Sequence, residues 1–419
     1  MFHTTSKSTT AHRFTVRCSA LTLALTLVGF TLFGLLAAGA DDELPEFAGR
    51  TPDVSREISI PTIDISGETD RHVFVARGTE ETYQGHADTL LMPDGRTMFA
   101  AWSIGHAVHI GPLKRSDDGG LTWSDLIDVP ENWWKVSNTP TIHRLVDPEG
   151  TARLFVFGGG LRFPGVKMQQ AVSEDGGRTW SPMEANGLIG EVPPKDILAF
   201  EDGAKLLMWS DRRDPWPHLW QSASHDGGLT WGEEQIVFRT PGYWTQPTVV
   251  RSPDGRQLVM LMRENTRRFN SLYSTSDDES RTWAAPRELP AALTGDRHVA
   301  RYAPDGRLVV VMRDRAGQGI EEWNSPTYGH FIAWVGTYED IVAGREGQYR
   351  VKLLHSHAGP DCGYAGFEVL PDGTLVATTY VKYQPGPQRH SVVSVRFTLE
   401  ELDRKLAEQQ AAQATGDAR

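Results

Sequence analysis

Three arginines recur at equivalent places in the sequence. Arg213, Arg263 and Arg313 each come close to the end of a largely apolar segment, and they are spaced 50 residues apart. Guanidinium groups hold carboxylates and sulfates through paired hydrogen bonds. The spacing therefore predicts that the three side chains converge on one anion-binding site. In the alternative interpretation each arginine braces a loop by pairing with an acidic neighbour: Asp211 or Asp214, Glu264, and Asp314.

A second group of residues has the chemistry needed for acid–base catalysis. Asp361 lies three residues before Tyr364 and could orient or deprotonate its phenol. His86 and Asp88 alternate along one segment, so they share a face of a strand, and His106 follows at the end of the next strand. Cleavage of a glycosidic bond needs a proton donor and a base or nucleophile on either side of the bond. We predict that Tyr364 with Asp361 opposes Asp88 or His106 across the anion site.

Further polar residues complete the predicted binding surface: His86, Gln246, Arg297 and His298. Six loop tryptophans could stack on sugar rings: Trp133, Trp134, Trp216, Trp220, Trp244 and Trp323. A metal site built from His86, His106 and His109 was weighed against these assignments. We predict neither a metal nor a cofactor.

An eight-residue motif recurs and reveals the elements that must position these side chains. It has the form Ser-x-Asp-x-Gly-x-Thr-Trp and occupies residues 116–123, 173–180 and 224–231, with a degenerate copy at 276–283. Its Asp and Ser side chains can accept hydrogen bonds from turn N–H groups, and its Trp can pack between neighbouring units. A calcium loop is the alternative, but one carboxylate per turn supplies too few ligands. The octets are therefore expected to be structural.

A second recurring turn fixes the number of repeats. Asp-Gly, or Glu-Gly in one copy, separates two β-rich segments at six places: residues 94–95, 149–150, 202–203, 254–255, 305–306 and 372–373. Glycine supplies the positive φ that such a hairpin needs. Each unit then reads as four strands, and six such units predict an all-β, six-bladed β-propeller with four-stranded antiparallel blades. The last unit has only three strand-like segments, so residues 71–77 are expected to supply the fourth and close the ring.

The octet is the Asp-box, and over about residues 70–400 the chain resembles the sialidase (neuraminidase, BNR-repeat) superfamily. The resemblance implies a propeller that hydrolyses glycosides. Arg263, in Leu-Met-Arg-Glu-Asn, looks like the blade-four member of the sialidase arginine triad. Tyr364, in Asp-Cys-Gly-Tyr-Ala-Gly-Phe, looks like the nucleophilic tyrosine of that family.

Three positions depart from the sialidase pattern. Where family members have Phe/Tyr-Arg-Ile-Pro at the start of blade one, this chain has residues 85–88, Gly-His-Ala-Asp. Gln246 stands where the glutamate that activates the tyrosine is expected, and an amide cannot accept a proton. The loop 103–109 lacks the expected aspartate. The resemblance therefore implies the scaffold more strongly than the hydrolysis of ordinary sialosides.

The composition excludes several classes of protein. With 42 Lys and Arg against 54 Asp and Glu, the net charge is −12, which argues against a nucleic-acid partner. Two cysteines are too few for a disulfide scaffold or a thiolate zinc cluster.

The N-terminus resembles an export signal. Arg13 and Arg17 precede an uncharged apolar segment at 20–38, and Ala-Gly-Ala at 38–40 resembles a cleavage site. Cleavage after Ala40 would give a periplasmic or secreted protein, whereas an uncleaved segment would anchor it in the membrane. In the first case the mature protein does not contact a membrane.

The predicted division of the chain is a signal peptide at 1–40, a leader at 41–69, the propeller at 70–400 and a polar tail at 401–419. The tail is expected to form a short helix followed by disorder. The predicted function is that of an exported sialidase-like exo-glycosidase that removes a terminal anionic sugar (a sialic acid, a uronic acid or a sulfated sugar) from a glycan. Two alternatives stay open: a non-catalytic glycan-binding propeller, and a polysaccharide lyase that acts on uronate-containing glycans.

Overall fold

The β-rich segments of each unit form antiparallel strands because their branched and aromatic side chains pack on both faces of a blade. The computed structural model describes residues 54–159, 167–190, 192–212, 217–239, 244–317 and 325–416. The described strands form six separate sheets. These sheets are the blades of a six-bladed β-propeller, which confirms the predicted all-β fold.

The strands of the first three blades follow one another along the chain. Blade one contains β3 (Gln84–Leu91), β4 (Met98–Ile104) and β5 (Leu113–Ser116). Blade two contains β6 (Ser137–Val146), β7 (Ala152–Gly159), β8 (Lys167–Ser173) and β9 (Glu184–Ile189). Blade three contains β10 (Ile197–Phe200), β11 (Lys205–Arg212), β12 (His218–Ser224) and β13 (Gly232–Arg239).

The last three blades repeat this order. Blade four contains β14 (Trp244–Arg251), β15 (Leu258–Glu264), β16 (Leu272–Ser276) and β17 (Arg287–Glu288). Blade five contains β18 (Gly295–Tyr302), β19 (Leu308–Asp314), β20 (Phe331–Gly336) and β21 (Tyr349–Leu354). Blade six contains β22 (Cys362–Val369), β23 (Leu375–Val381) and β24 (Ser391–Phe397).

Two N-terminal strands complete the ring. The strand β2 (His72–Ala76) pairs antiparallel with β24 and becomes the fourth strand of blade six, as predicted. The strand β1 (Thr62–Asp64) pairs parallel with β21 and adds a fifth strand to blade five, which the sequence did not suggest. Blade one keeps three described strands; residues 124–127 run beside β5, and the N–H groups of Ser124 and Ile127 donate to its carbonyls without forming a fourth ladder.

Five first strands carry a bulge at the same place. In four of these strands two residues oppose one residue of the second strand, and in β6 three residues oppose one. The inserted residues are Gly85–His86, Asn138–Pro140, Gln246–Pro247, Arg297–His298 and Gly363–Tyr364. Asn138, Gln246, Arg297 and Gly363 have positive φ, so the chain kinks there and re-aims the side chains that follow.

The octets are structural turns, as expected. Asp118 accepts hydrogen bonds from the N–H groups of Leu121 and Thr122 at 3.0 and 2.9 Å, and from the hydroxyls of Ser116 and Thr122 at 2.7 and 2.6 Å. Asp175, Asp226 and Asp278 repeat most of this pattern. Each turn packs on the preceding blade: a Cβ on Gly177 would lie 2.4 Å from Phe99 of blade one.

The C-terminal segment forms a longer helix than expected. Besides the short α1 (Tyr338–Val342), the structure contains α2 (Leu399–Gly416). Leu402 of α2 is completely buried in the core that blades five and six share, and Asp403 accepts both terminal nitrogens of Arg307 at 2.9 and 2.8 Å. This burial explains why the helix continues beyond a short turn.

The predicted signal segment at 1–40 lies outside the described residues. Within the described part of the chain, no helix combines the length and the apolar character needed to span a bilayer.

Candidate active site

The bulges direct a set of polar residues toward the axis of the ring. The first strands of neighbouring blades pack against one another around this axis. The bulges lie at the strand beginnings, opposite the Asp-Gly turns and the octets; we call this side of the ring the loop end. Four of the predicted site residues are bulge residues that lie close together there: His86, Gln246, Arg297 and Tyr364.

Tyr364 is the centre of this group. Its phenol oxygen accepts a hydrogen bond from Nε2 of Gln246, which comes from blade four. The His86 ring lies 4.2 Å from the Tyr364 ring, and the guanidinium of Arg297 lies 5.6 Å from the same ring. The structure therefore brings together four predicted residues from four different blades. The predicted contact between Asp361 and Tyr364 is not made, since the amide of Gln246 occupies that position.

Asp361 instead holds a cluster of tyrosines and histidines. It accepts hydrogen bonds from the hydroxyls of Tyr83 at 2.9 Å and Tyr380 at 3.2 Å, and it lies 3.2 Å from Nδ1 of His106 and from Nε2 of His390. Burial alone would raise the pKa of Asp361, but the hydrogen bonds and the nearby histidines hold it well below its usual value. Asp361 is thus a carboxylate at neutral pH that orients its neighbours.

His106 is the accessible member of this cluster. Its side chain is 56% exposed, and its Nδ1 faces Asp361. Its ring lies 4.6 Å from the ring of His86, which links the Asp361 cluster to Tyr364. No described residue contacts its Nε2, so this nitrogen is available to exchange a proton with a ligand.

Two of the three predicted arginines, Arg263 and Arg313, converge, and they do so on a carboxylate of the protein itself. Asp296 is completely buried; Oδ1 lies 3.1 Å from Nε of Arg263, and Oδ2 lies 2.7 Å from Nη2 of Arg313. Arg267 binds both Asp296 oxygens at 2.6 and 3.0 Å, and Nε of Arg315 lies 3.7 Å from Oδ2. Burial raises the pKa of Asp296, but Arg263, Arg313 and Arg267 lower it much further. Four guanidiniums against one carboxylate leave a local excess of three positive charges.

Arg313 and Arg263 differ in how many of their N–H donors are already used by the protein. Arg313 also donates to the backbone oxygens of Pro360 and Cys362, so its donors are occupied within the protein and it braces the segment that carries Asp361 and Tyr364. Arg263 approaches Asp296 through Nε, and no hydrogen bond of its terminal nitrogens to a described residue is found. Arg263 is therefore the better candidate to bind an anion.

The interpretation in which each arginine pairs with its sequence neighbour is wrong for these two. Glu264 instead accepts hydrogen bonds from the backbone N–H groups of Thr266 and Arg268, and Asp314 pairs with the buried Arg350 at 2.6 Å. Arg213 lies outside the described residues.

Two predicted site residues are structural. Asp88 is 2% exposed and its oxygens are fully used: Oδ1 binds Nζ of Lys195 and the N–H of Thr89, and Oδ2 accepts from the N–H of Ile142 in blade two. It therefore clasps blades together and does not oppose Tyr364. His298 is fully buried, with Nε2 2.9 Å from the carbonyl oxygen of Leu293, so the prediction that it binds substrate is corrected.

The site contains residues that sequence reasoning missed. Tyr83 and His390 were not singled out, although both meet Asp361, and their rings stack 4.3 Å apart. Tyr83 directly precedes the first strand of blade one. Asp361 and the bulge residues stand at the same point of their blades, and this equivalence is the signal that could have identified Tyr83. His390 lies in the loop before β24 and gives no comparable signal.

The predicted aromatic loops are only partly at the surface. Trp133 and Trp220 are fully buried core residues, whereas Trp134 is 38% exposed. Trp216 and Trp323 lie outside the described residues, and Trp244 is the first residue of β14. In the described ranges, no group of three or more His, Cys, Asp and Glu side chains is arranged to hold a metal ion.

Comparison with known proteins places the fold. Residues 137–318 match the family model of the BNR repeat-like domain. A search of curated protein sequences found no match. The fold is similar to that of the Penicillium chrysogenum α-L-arabinanase, solved in complex with arabinobiose, with 20% identity and a TM-score of 0.55 over 79% of this chain and 98% of that one.

Two further solved structures give the same result. The intramolecular trans-sialidase of Ruminococcus gnavus, solved with oseltamivir carboxylate, is 14% identical with a TM-score of 0.51, and 79% of this chain and 97% of that chain are covered. A Dyadobacter fermentans protein of unknown function is 17% identical with a TM-score of 0.54, covering 78% and 99%. At these identities the comparisons establish the fold, and the site must be argued from its own residues. Residues 137–318 are thus similar to BNR repeats, and the chain has the six-bladed β-propeller fold that these solved structures share.

Proposed function

We propose that this propeller is an exo-glycosidase that removes a terminal anionic sugar from a glycan. The observation that carries the proposal is the excess of guanidinium groups around Asp296, one of which, Arg313, also binds the backbone on both sides of Asp361. A cationic surface next to a nucleophile and a proton donor suits a sugar that bears a carboxylate or a sulfate. Solved propellers of this fold include a sialidase-type enzyme and an arabinanase, which supports action on glycans.

In the proposed reaction Tyr364 attacks the anomeric carbon of the bound sugar. The Tyr364 oxygen forms a bond to that carbon as the bond to the leaving oxygen breaks; the phenolic proton passes to a solvent water, and His106 donates a proton from Nε2 to the leaving oxygen. Water then attacks the same carbon, gives a proton back to His106 and releases the Tyr364 oxygen, which recovers its proton from solvent. The guanidinium of Arg297 lies 5.6 Å from the centre of the Tyr364 ring, on the same side of the site. Asp361 holds the His106 ring from the Nδ1 side.

The test is a release assay on a panel of anionic glycans: sialosides, uronides and sulfated sugars. Tyr364→Phe and Arg263→Ala are assayed beside the unaltered protein. His109→Phe serves as the control, because it changes an exposed histidine in the loop that also contains His106. We expect Tyr364→Phe to lose at least 100-fold in turnover, which is the usual scale for a catalytic group. Arg263→Ala should chiefly raise KM. Turnover of neutral glycosides alone, or full activity of Tyr364→Phe, would contradict the proposal.

One observation favours a second function, that of a polysaccharide lyase. The hydrogen-bond partner of the Tyr364 oxygen is an amide rather than a carboxylate, so this partner cannot take its proton as in a sialidase. Histidine and tyrosine side chains can instead remove the proton beside a uronate carboxylate, with an arginine on that carboxylate. The same assay separates the two reactions, because elimination produces an unsaturated sugar that absorbs in the ultraviolet and hydrolysis does not. Saturable binding without turnover would indicate a glycan-binding protein.

We also propose that the protein is exported. The proposal rests on the basic, apolar and small-residue pattern of residues 1–40. Mass spectrometry of the protein from its native host should give a chain that begins at Asp41. A chain that retains the apolar segment and fractionates with membranes would show an anchor instead.

A further inference from the structure

The two polar side chains nearest the Tyr364 phenol have unused hydrogen-bonding atoms. His86 is 3% exposed, and neither ring nitrogen has a hydrogen-bond partner among the described residues. Gln246 is 5% exposed; its Nε2 donates to Tyr364, but its Oε1 has no partner among the described residues. Buried polar atoms are nearly always satisfied, and leaving one unsatisfied costs roughly 1–3 kcal/mol. These atoms therefore indicate a polar ligand group beside Tyr364.

The donor and acceptor pattern identifies that group. Burial, together with the nearby charges of His106 and Arg313, lowers the pKa of His86 well below its usual value, so the imidazole is neutral. A neutral imidazole has one N–H donor and one acceptor nitrogen, and Oε1 of Gln246 adds a second acceptor. A carboxylate or sulfate has only acceptors and would face two like groups. A hydroxyl both donates and accepts, so it can satisfy these atoms.

We propose that His86 and Gln246 form a hydroxyl-binding pocket that reads the uncharged side of the sugar in the site. This inference rests on the proposed function and deepens it, because it states how the sugar is oriented. The charged group lies toward Arg263, and ring hydroxyls lie against His86 and Gln246. The ligand class is then a polyhydroxy acid, such as a uronic or sialic acid, with the hydroxyls next to Tyr364 free of acetyl or methyl groups.

The position of the two residues supports this division of the site. His86 lies in a cage of aromatic rings, with Tyr364 at 4.2 Å, His106 at 4.6 Å and Tyr380 at 4.8 Å. These rings shield His86, which is 3% exposed, and they offer faces for the C–H groups of a sugar. The arginines meet at Asp296 on the side of blades four and five, whereas His86 belongs to blade one. One ligand can therefore present different groups to the two sides.

The test compares probes that carry the anion, the hydroxyls or both. Glucuronate and N-acetylneuraminate have both, cyclohexanecarboxylate has only the anion, and glucose has only hydroxyls. Dissociation constants are measured by isothermal titration calorimetry for the full chain and for His86→Phe and Gln246→Met, which keep the size of each side chain. His109→Phe is the control, and thermal unfolding checks that each variant is folded.

We expect at least one polyhydroxy acid to bind more tightly than cyclohexanecarboxylate. Each variant should lower the affinity for that acid at least tenfold, which is about 1.4 kcal/mol of binding free energy. Neither variant should change the affinity for cyclohexanecarboxylate by as much as twofold. An equal effect on both kinds of probe, no effect of either variant, or no binding of any probe would overturn the pocket. If a variant does not fold, a crystal structure of the unaltered protein with the acid decides, since hydroxyls away from His86 and Gln246 would overturn it too.

These results are independent of turnover. Discrimination between the probes without any catalysis would refute the proposed hydrolase and leave the pocket standing as a binding site. Catalysis with no discrimination would refute the pocket alone.

Discussion

The pairing of Tyr364 with Gln246 is the residue-scale feature that separates this site from the sialidase pattern. The two side chains meet as the tyrosine and its activating carboxylate are expected to meet, but the amide donates a hydrogen bond and cannot take a proton. The two positions are thus in contact, and the amide changes what this contact can do with a proton. Restoring the carboxylate becomes a direct way to ask how Tyr364 works.

We predict that Gln246→Glu increases turnover if Tyr364 is the nucleophile. The new carboxylate would accept the phenolic proton during attack, and a positioned base typically contributes 100- to 10,000-fold. Arg297, whose guanidinium faces the Tyr364 ring, would offset part of the cost of the added buried charge. The measurement is kcat on the substrate found in the panel, with Gln246→Met as the matched control. Equal kcat values for the Glu and Met variants would exclude Tyr364 as a nucleophile.

We predict that Asp361→Asn lowers kcat roughly 100-fold and changes KM little. The carboxylate holds Tyr83 and Tyr380 and faces Nδ1 of His106, so its loss frees the His106 ring to rotate away from the leaving group. The side-chain volume is nearly unchanged, and unfolding temperature should stay within a few degrees. A rise in KM with unchanged kcat would instead show that the cluster only binds substrate. Asp117→Asn, an exposed acid on blade one, is the control.

The sequence predicted the positions of several site residues but not the partners of the buried carboxylates. The positions of Arg263, Gln246 and Tyr364 followed from the repeat, because the same point of each blade faces the axis. The partners of Asp88 and Asp296 did not follow, since Lys195 and Arg267 reach them from other blades or loops. Spacing along the chain predicts which residues lie at the same end of the ring. Which charged residues form ion pairs there depends on side chains that extend from other blades or loops.

At the element scale the octets act as rigid stops at the ends of hairpins. Burial opposes ionisation of Asp118, but hydrogen bonds from Thr122, Ser116 and Leu121 lower its pKa to about 2. Because the folded pKa is below the usual value of 3.8, the carboxylate stabilises the fold above pH 4, and this contribution disappears as the pH falls through about 2.

We therefore predict that Asp118→Ala lowers the unfolding temperature by a few degrees at neutral pH. The difference from the unaltered protein should shrink as the pH is lowered from 4 toward 2. Thermal unfolding followed by circular dichroism at several pH values gives the result. Asp117→Ala, one residue earlier and exposed, should have little effect at any pH. A difference independent of pH would mean that the turn depends on side-chain shape and not on the charge.

Between blades six and one lies an acid, Glu368, whose pKa is raised, whereas that of Asp118 is lowered. Glu368 of β22 accepts a hydrogen bond from the hydroxyl of Thr89 in β3 at 3.1 Å. Burial, only partly offset by Arg301 and Lys195, raises the pKa of Glu368 to about 7. The unfolded chain ionises this group near pH 4.5, so between pH 4.5 and 7 the unfolded state gains stability relative to the folded one.

We predict that Glu368→Gln removes this pH dependence. The free energy of unfolding of the unaltered protein should fall relative to the variant as the pH rises from about 4.5 to about 7, and the difference should stay constant above that range. Chemical denaturation in buffers across this range measures it. A parallel pH dependence of the two proteins would show that Glu368 is already ionised in the fold at pH 5.

For the whole molecule, closure of the ring depends on segments far apart in sequence. The strand β2 from the N-terminal side completes blade six, and α2 packs Leu402 into the core that blades five and six share. The side chain of Arg71 binds Glu401, which ties the two ends of the propeller to each other. A ring closed in this way leaves few exposed sheet edges.

We predict that Leu402→Ala destabilises the whole propeller by about 2–5 kcal/mol, because a fully buried leucine leaves a cavity when it is truncated. Guanidinium denaturation should show a single transition at lower denaturant concentration, because the core that contains Leu402 is shared by blades five and six and each blade packs on its neighbours. Leu126→Ala, at a 51% exposed leucine, should stay within about 0.5 kcal/mol. A separate early transition that affects only α2 would show that the ring does not depend on the helix.

The six blades and the strand that closes the ring were more predictable than two further elements, β1 and the full length of α2. Five Asp-Gly turns, one Glu-Gly turn and four octets predicted the number of blades, because each repeat specifies the same local hairpin. The fifth strand of blade five and the length of α2 depend on contacts with distant blades, such as the pairing of Thr62 with Arg350. Such contacts produce no repeated pattern within the three residues of β1 or the eighteen residues of α2. Sequence patterns therefore predicted the repeated blades but not these two elements.

The repeated bulge has a consequence for how such a protein changes over evolutionary time. Strand pairing resumes on either side of the inserted residues, so the ladder hydrogen bonds do not depend on which side chains stand there. The same residues, His86, Gln246, Arg297 and Tyr364 among them, face one common centre. Selection can therefore rewrite the chemistry one blade at a time while the scaffold is inherited unchanged, and relatives with the same propeller are free to diverge in the molecule they recognise.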